Sequence, residues 1–208
     1  MKNYQFFLIL SFLSLFIAEL SKYLLDINSL LYESLSHQFA HELIDETFGI
    51  IRRWQLIGYV LMPFLLFLKT QLIAGVLGIG TFLFDKDVSH KKLWKIALIG
   101  EFIFLVPALL KLLWFYSFKT DYSLFDLETF YPLSLLNLFD VEQLSSWYLY
   151  PLQTINLFEL LFIITLSFLL DRTIGDRSYS GIKIVTGSYL PALVIWVATI
   201  MFFIINQA

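Results

Sequence analysis

Five ionisable side chains lie inside otherwise apolar stretches, and they are the residues in this sequence best placed to do chemistry. They are Glu19, Lys69, Glu101, Lys111 and Glu159. Each costs about 2.5–3.5 kcal/mol at the centre of a bilayer unless it is paired or hydrated. Residues of this kind hold neighbouring helices in register as ion pairs, carry protons or ions along a polar path, or extend toward the membrane surface.

Depth along the stretches predicts which of these charges meet. At a rise of about 1.5 Å per residue, Glu159, Lys111 and Glu19 fall at a similar level, near the outer third of the membrane. We therefore expect Lys111 to neutralise Glu159, with Glu19 in the same cluster. Lys69 and Glu101 form a second set, which we expect to meet only with the help of a kink or a water molecule. The expected role is structural registration, and a proton or ion relay is the alternative.

Two histidines offer a candidate metal site. His37 and His41 are spaced i, i+4, which places both imidazoles on one face of a helix, a start for zinc binding or for an intramembrane metal enzyme. A third ligand would have to come from Glu33, Glu42 or Asp45. A solvated polar face or a pH-sensitive surface explains the same spacing. We expect no resident metal and no cofactor.

Basic residues next to the apolar stretches predict contact with lipid. Arg52 and Arg53 precede Trp54, a combination typical of an interfacial anchor and able to contact a lipid headgroup. Lys91 and Lys92 lie in "HKKLWK", which could attract anionic lipid. The alternative for this second group is a topology signal.

Composition places the chain in a membrane. Of 208 residues, 59% are hydrophobic, the mean hydropathy is +0.77, and the excess is concentrated in long runs. The net charge of −3 gives no basic face for nucleic acid. The chain has no cysteine, which excludes disulfides, thiolate metal sites and cysteine nucleophiles. Phosphate-binding loops, H-E-x-x-H and G-x-S-x-G are absent from the sequence, so we expect no enzyme.

The apolar runs predict an all-α integral membrane protein, with residues 1–208 forming one polytopic domain. Five transmembrane helices are expected, at about 4–24, 54–84, 96–118, 152–170 and 184–205. Interfacial or amphipathic helical segments are expected in the first and third loops, at about 29–52 and 124–148.

The loops also predict an orientation. Lys and Arg are more numerous on the side of loops 85–95 and 171–183 than on the side of the two helical segments. Because cytoplasmic loops carry an excess of Lys and Arg, the N-terminus is expected in the cytoplasm and the C-terminus outside. We expect a bacterial cytoplasmic (inner) membrane.

Three stretches carry a resemblance to a known family. One is "LIGYVLMPFLLFLKTQLIAGVLGIGTFLF" followed by "DVSHKKLWKIALIG". Another is "FYPLSLLNLF", followed after a loop by "NLFELLFIITL". The third is a first span followed by an extramembrane helical segment. In these features, which cover most of its length, the chain resembles the bacterial branch of the Yip1 family of five-span membrane proteins.

The resemblance implies a non-enzymatic protein that acts through partner proteins and membrane shape, and it supplies no catalytic residues. We therefore expect a scaffold or accessory subunit of a membrane complex, or a role in membrane organisation or trafficking. Its expected partners are membrane lipids and other membrane proteins or further copies of itself. The alternative is a transporter or permease-type subunit, with a polar path through Glu159, Lys111 and Glu19.

Overall fold

The computed structural model describes residues 2–36, 41–119, 121–175 and 180–207, and the regular structure in these ranges is helical apart from one isolated β-bridge. The α-helices are α1 (Asn3–Leu24), α2 (Ile27–Ser36), α3 (His41–Leu83), α4 (His90–Glu101), α5 (Leu105–Ser117), α6 (Leu124–Thr129), α7 (Ser146–Thr154), α8 (Leu157–Ile174) and α9 (Ser180–Gln207). Short 3-10 turns lie at Phe102–Phe104, Leu135–Leu138 and Val141–Gln143.

Four helical stretches of the described chain are long and apolar enough to cross a bilayer. They are Asn3–Leu24, Gly49–Leu83, His90–Ser117 and Ser180–Gln207. These stretches indicate an integral membrane protein and confirm the all-helical prediction. Helix α8 is shorter than these four stretches, and its 18 residues include Glu159, Asp171 and Arg172.

The sequence had predicted that a new helix begins with the second apolar stretch, and this prediction is wrong. Helix α3 runs unbroken through 43 residues, so the expected boundary between segment 29–52 and span 54–84 does not exist. At about 1.5 Å per residue it is roughly 65 Å long, well beyond the roughly 30 Å of a hydrocarbon core. Gly49 is an isolated glycine, which a helix tolerates, and Pro63 is accommodated inside the helix.

The third stretch is one rod with a local irregularity. Helices α4 and α5 are joined by the 3-10 turn Phe102–Phe104, three residues before Pro107. Proline has no N–H to donate, and its ring crowds the carbonyl four residues earlier, here that of Ile103. The tighter turn therefore lies where a regular α-helix would be disturbed.

Four helices enclose the main core, and each contributes three buried side chains to it. Helices α3 and α4 supply Ile73, Ala74, Leu77, Leu93, Ile96 and Ala97. Helices α8 and α9 supply Phe162, Leu166, Leu170, Ile184, Val185 and Tyr189. Helix α3 packs on α4, α4 on α8, α8 on α9 and α9 on α3, so the four form a closed ring. Helix α1 packs on the outside of this ring, against α4 and α5.

The two ends of the bundle differ. At one end α3 turns into α4, and Asn3 Nδ2 at the start of α1 donates a hydrogen bond to the Lys91 carbonyl (2.8 Å). We call this the hairpin end. At the other end, the cap end, α2 and α6 cover a second apolar cluster of Leu25, Leu112, Phe115 and Leu127. The core ring lies toward the hairpin end.

The contact between α8 and α9 depends on a glycine. A Cβ atom added to Gly181 would overlap the backbone oxygen of Ser167 and approach Asp171 Cγ to 2.9 Å. The Gly181 N–H also donates to Asp171 Oδ1 (2.6 Å). Small residues of this kind let helix backbones approach closely in membranes.

We expect Gly181→Ala to destabilise the protein by about 1–3 kcal/mol, the usual cost of overpacking. The measurement is the thermal unfolding midpoint in mild detergent. Gly75→Ala is the matched control, because a Cβ at Gly75 meets nothing within 4 Å and alanine favours a helix by up to about 1 kcal/mol over glycine. Equal behaviour of the two variants would contradict the close α8–α9 contact.

Candidate functional site

A polar layer lies directly on the apolar core. It consists of Lys69 of α3, Glu101 of α4, Glu159 of α8 and Tyr189 of α9. Each of these residues stands about one helical turn from a core residue of its own helix, as Glu101 does from Ala97. The ring of helices that builds the core therefore also brings these four side chains together.

Lys69 and Glu101 form the ion pair of this layer. The Lys69 Nζ lies 2.9 Å from Glu101 Oε2, and the Lys69 side chain is 51% exposed whereas that of Glu101 is 3% exposed. Lys69 Nζ also lies 4.4 Å from the ring centroid of Phe104, a cation–π contact. The lysine thus reaches a buried carboxylate from the surface of the bundle. The two residues meet directly, at the end of α4 where the 3-10 turn Phe102–Phe104 interrupts the rod.

The second oxygen of Glu101 has no partner. Glu101 Oε1 is buried and accepts no hydrogen bond from any described residue. Buried polar atoms in proteins are nearly always hydrogen-bonded, so this atom stands out. A carboxylate that is satisfied on one oxygen only can still accept a donor from a bound molecule.

Glu159 is held by a helix terminus and a tyrosine. It lies in the first turn of α8, where Asn156 Oδ1 accepts a hydrogen bond from the Glu159 N–H (2.8 Å). The Tyr189 hydroxyl donates to Glu159 Oε1 (2.7 Å). The N-terminal end of a helix dipole favours a negative charge. Glu159 also interacts electrostatically with Lys69 and Glu101, so two carboxylates share one lysine.

An irregular loop positions the start of α8. Ser134 and Asn156 form an antiparallel bridge. In it the Leu135 N–H donates to the Ile155 carbonyl (2.9 Å) and the Leu157 N–H to the Leu133 carbonyl (3.2 Å). These bonds satisfy backbone groups that a buried non-helical segment would otherwise leave unpaired. The fourth span expected at 152–170 is therefore not a single helix, since α8 begins at Leu157 and α7 is a separate helix that ends at Thr154.

The predicted cluster of Lys111, Glu159 and Glu19 is not formed. Lys111 Nζ donates to the Leu127 carbonyl, and the exposed Glu19 accepts a hydrogen bond from the Tyr59 hydroxyl. The prediction was wrong because it placed Lys111 and Glu159 at the same depth in the membrane. Lys111 is ten residues beyond Glu101 on one rod, about 15 Å along the axis, whereas Glu159 lies at the level of Glu101 because α8 begins inside the bundle.

A cavity of about 540 Å³ connects two of the predicted charges. It lies between α1, α3, α5 and α6, with Glu101, Lys111 and Glu128 in its lining. Glu101 belongs to the polar layer, and Glu128 belongs to α6 at the cap end. Most of the remaining lining is aliphatic.

The segment that closes the cap end is fastened by charge. The Lys119 ammonium, 2.5 Å from Asp126 Oδ1, lowers the pKa of Asp126 to about 2, helped by the hydrogen bond from the Ser123 N–H. Ser123 Oγ in turn caps α6 by accepting from the Asp126 N–H (3.2 Å). In the neighbouring loop, burial raises the pKa of Tyr131 to about 12, and the negative charges of Glu159 and Glu101 add to the effect.

The metal candidates fall largely outside the description. His37 lies outside the described residues, and His41 is the first residue of α3, with its side chain outside the description. Within the described ranges, no group of three or more His, Asp or Glu side chains could hold a metal ion.

The basic lipid-contact candidates are spread over two ends of the bundle. Arg53 is exposed near the start of α3, and the side chain of Arg52 lies outside the description. Lys91 and Lys92 are exposed in the first turn of α4, at the hairpin end. Their positions leave them accessible to a membrane surface or to solvent.

The sequence contained a signal for the position of Glu159. The residues Asn156-x-x-Glu159 match the spacing of a helix N-cap followed by an acidic third residue. This pattern marks a helix start at Leu157 and so places Glu159 in a first turn. No comparable local signal pairs Lys69 with Glu101, because the two residues lie on different helices.

Comparisons with protein-family models, with curated proteins and with solved structures find no match to this chain. Its function is therefore argued from the contacts of its own residues.

Removal of Lys69 should harm the protein more than removal of Glu101. Lys69→Met leaves a buried carboxylate without its cation, a loss near the lower end of about 3–5 kcal/mol. Glu101→Gln leaves a half-exposed lysine, whose long side chain can extend along α3 toward the membrane interface. The double variant should resemble Glu101→Gln in thermal unfolding, with Lys92→Met as a control for the loss of an exposed lysine. Additive losses in the double variant would show that the two residues are not coupled.

The Asp126 contact predicts a pH dependence. The pKa of Asp126 in the folded protein, about 2, lies below its ordinary value of 3.8. Its contribution to stability is therefore fully present above about pH 4 and is lost as the pH falls toward 2. The unfolding midpoint of Asp126→Asn should lie below wild type at pH 7, and the difference should disappear near pH 2. Asp121→Asn, a change at an exposed carboxylate of the same loop, should show no such convergence; a difference for Asp126→Asn that is constant with pH would exclude the contact.

Proposed function

We propose that this chain is a non-enzymatic, five-span membrane protein that acts as a scaffold or accessory subunit of a membrane complex. The motifs that resemble the bacterial Yip1 branch support this assignment, as does the set of four long apolar helices. We place the protein in a bacterial cytoplasmic membrane with the N-terminus inside and the C-terminus outside, on the distribution of Lys and Arg in its loops.

Helix α8 supplies the fifth span in this proposal, although it is shorter and more charged than the others. It packs between α4 and α9, with Phe162, Leu166 and Leu170 fully buried. Glu159 is held by Tyr189 and Asp171 by the Gly181 N–H. Satisfied charges at both ends of an apolar helix lower the cost of placing it in a membrane.

The observation that carries the scaffold proposal is the uncovered apolar surface toward the cap end. Helix α3 continues for many residues beyond the core, and there Val60 is 78% exposed, with Trp54 and Phe64 exposed beside it. On α9, Ile195 is 67% exposed, and only 6% of the most apolar window of this helix is buried. Two long helices that the chain itself covers so little offer lateral surfaces for other membrane helices.

A second candidate is a transporter or permease-type subunit, and one observation favours it. The cavity contains both Lys111 and Glu101 in its lining and extends from α6 to the polar layer. A path of this kind would run through Glu101, and Glu159 and Glu19 lie outside the cavity lining. Uptake by reconstituted vesicles that depends on Glu101 would favour transport over a scaffold role.

Site-specific crosslinking tests the scaffold proposal. Because the natural chain has no cysteine, Val60→Cys or Ile195→Cys gives a unique attachment point for a benzophenone group. After illumination in native membranes, we expect a discrete protein adduct at one or both positions, identified by mass spectrometry as a particular membrane protein or a second copy.

The control is Phe12→Cys, a position on α1 that is as exposed as Ile195 and lies outside the α3 and α9 surfaces used in the proposal. It should give lipid adducts alone. Lipid adducts alone at all three positions, in protein that remains folded, would overturn the scaffold proposal.

A further inference from the structure

The cavity between α1, α3, α5 and α6 is built for an elongated apolar molecule. Its volume is about 540 Å³, within the range of small-molecule sites. Its walls are predominantly aliphatic side chains from three helices, among them Leu10, Ile17, Met62, Leu66, Leu105 and Leu112. Apolar walls of this kind favour a hydrocarbon body over a hydrated ion.

One buried polar atom in the lining lacks a partner. Glu101 lines the cavity, its side chain is only 3% exposed, and its Oε1 accepts no hydrogen bond from the described part of the chain. Lys69 occupies only Oε2. The Glu101 side chain is thus part of the cavity lining and has one oxygen with the capacity to accept a donor, and hydrogen bonds to charged acceptors are the stronger ones.

The charges around Glu101 favour a cationic donor. Glu101 and Glu159 share a single lysine, Lys69. The remaining ionisable groups of the cavity, Lys111 and Glu128, have opposite signs and lie beside each other near α6. Two carboxylates therefore face one lysine at the Glu101 end of the cavity, and a cationic donor there would offset the second carboxylate when both are ionised.

Inorganic cations fit this site poorly. Calcium and magnesium need about six or more oxygen ligands, and the lining offers few oxygens besides those of Glu101, Glu128, Ser14 and Ser21. A primary ammonium on a hydrocarbon chain supplies both the donor and the positive charge while the chain fills the aliphatic walls.

We propose that this cavity binds an alkylammonium, with its head at Glu101 Oε1 and its chain along α1 and α5 toward α6. This inference goes beyond the scaffold function and does not depend on it. The ligand class is defined by three features together: a single apolar chain, a hydrogen-bond donor and a positive charge.

The test uses the full-length protein in nanodiscs of phosphatidylcholine, a lipid without a primary amine. Decylammonium, decanol and decanoate are compared at equal concentration below their micellar range, and the readout is the thermal unfolding midpoint with titration for affinity. Decylammonium should raise the midpoint saturably, because a ligand of the folded state stabilises it by mass action. Decanol and decanoate should raise it far less.

Three variants make the result decisive. Glu101→Gln should weaken decylammonium binding by about tenfold or more, the loss expected of a hydrogen bond to a charged group. Ala108→Leu keeps Glu101 but fills the cavity at a lining residue, and it should abolish binding even if Glu101→Gln fails to fold. Glu19→Gln removes an exposed carboxylate outside the cavity lining and should bind as wild type does.

Several outcomes would overturn the proposal. Equal stabilisation by decanol would mean that only apolar volume is recognised. Undiminished decylammonium binding by the Ala108→Leu variant, or by a folded Glu101→Gln variant, would place the amine elsewhere, as adsorption on the surface would. Absence of any saturable shift in the wild type would leave the cavity without the proposed ligand.

Discussion

The carboxylate of Glu101, buried in the interior of an apolar bundle, is the constraint on which the arrangement of helices depends. A charge in such surroundings is tolerated only beside a partner of opposite sign with good geometry. Lys69 meets this need from α3, and its half-exposed side chain spans the distance between the surface of the bundle and its interior. The pair fixes the register of α3 against α4, and the apolar core follows one turn away toward the hairpin end.

The same polar layer explains why the cap end is irregular. Glu159 is stabilised by the first turn of a helix, so α8 must begin inside the bundle, and the chain before it must approach without helical hydrogen bonds. The bridge between Ser134 and Asn156 supplies those bonds. The loop that forms it packs Leu136 fully out of solvent, and α6 is fastened beside it by Lys119 and Asp126. The polar layer thus determines where α8 begins, and the start of α8 in turn requires the irregular loop and the cap beside it.

Hydropathy predicted the positions of the long apolar helices but not the way in which they pack. Long apolar runs located α1 and α9 to within a few residues, because an uninterrupted apolar run of this length is typical of a membrane helix. They did not reveal that α3 is continuous, since amphipathic and apolar stretches of one helix look like two elements. They also misassigned Lys111, because counting from span ends ignores where α8 starts. Contacts such as Lys69 with Glu101 depend on how separate helices pack, and local sequence contains no record of that packing.

Glu101 has two neighbours, and this links features that are far apart on the chain. Its Oε2 is engaged by Lys69 of α3, its Oε1 has no partner among the described residues, and its side chain lines the cavity formed with α1, α5 and α6. A donor bound in the cavity would share the charge that Lys69 now balances alone, so the two contacts are coupled through one carboxylate. Coupling of this kind is reciprocal. A partner that moves α3 through its uncovered face would therefore change the affinity of the cavity for its ligand. A ligand in the cavity would likewise change the strength of the Lys69–Glu101 contact that holds α3 against α4.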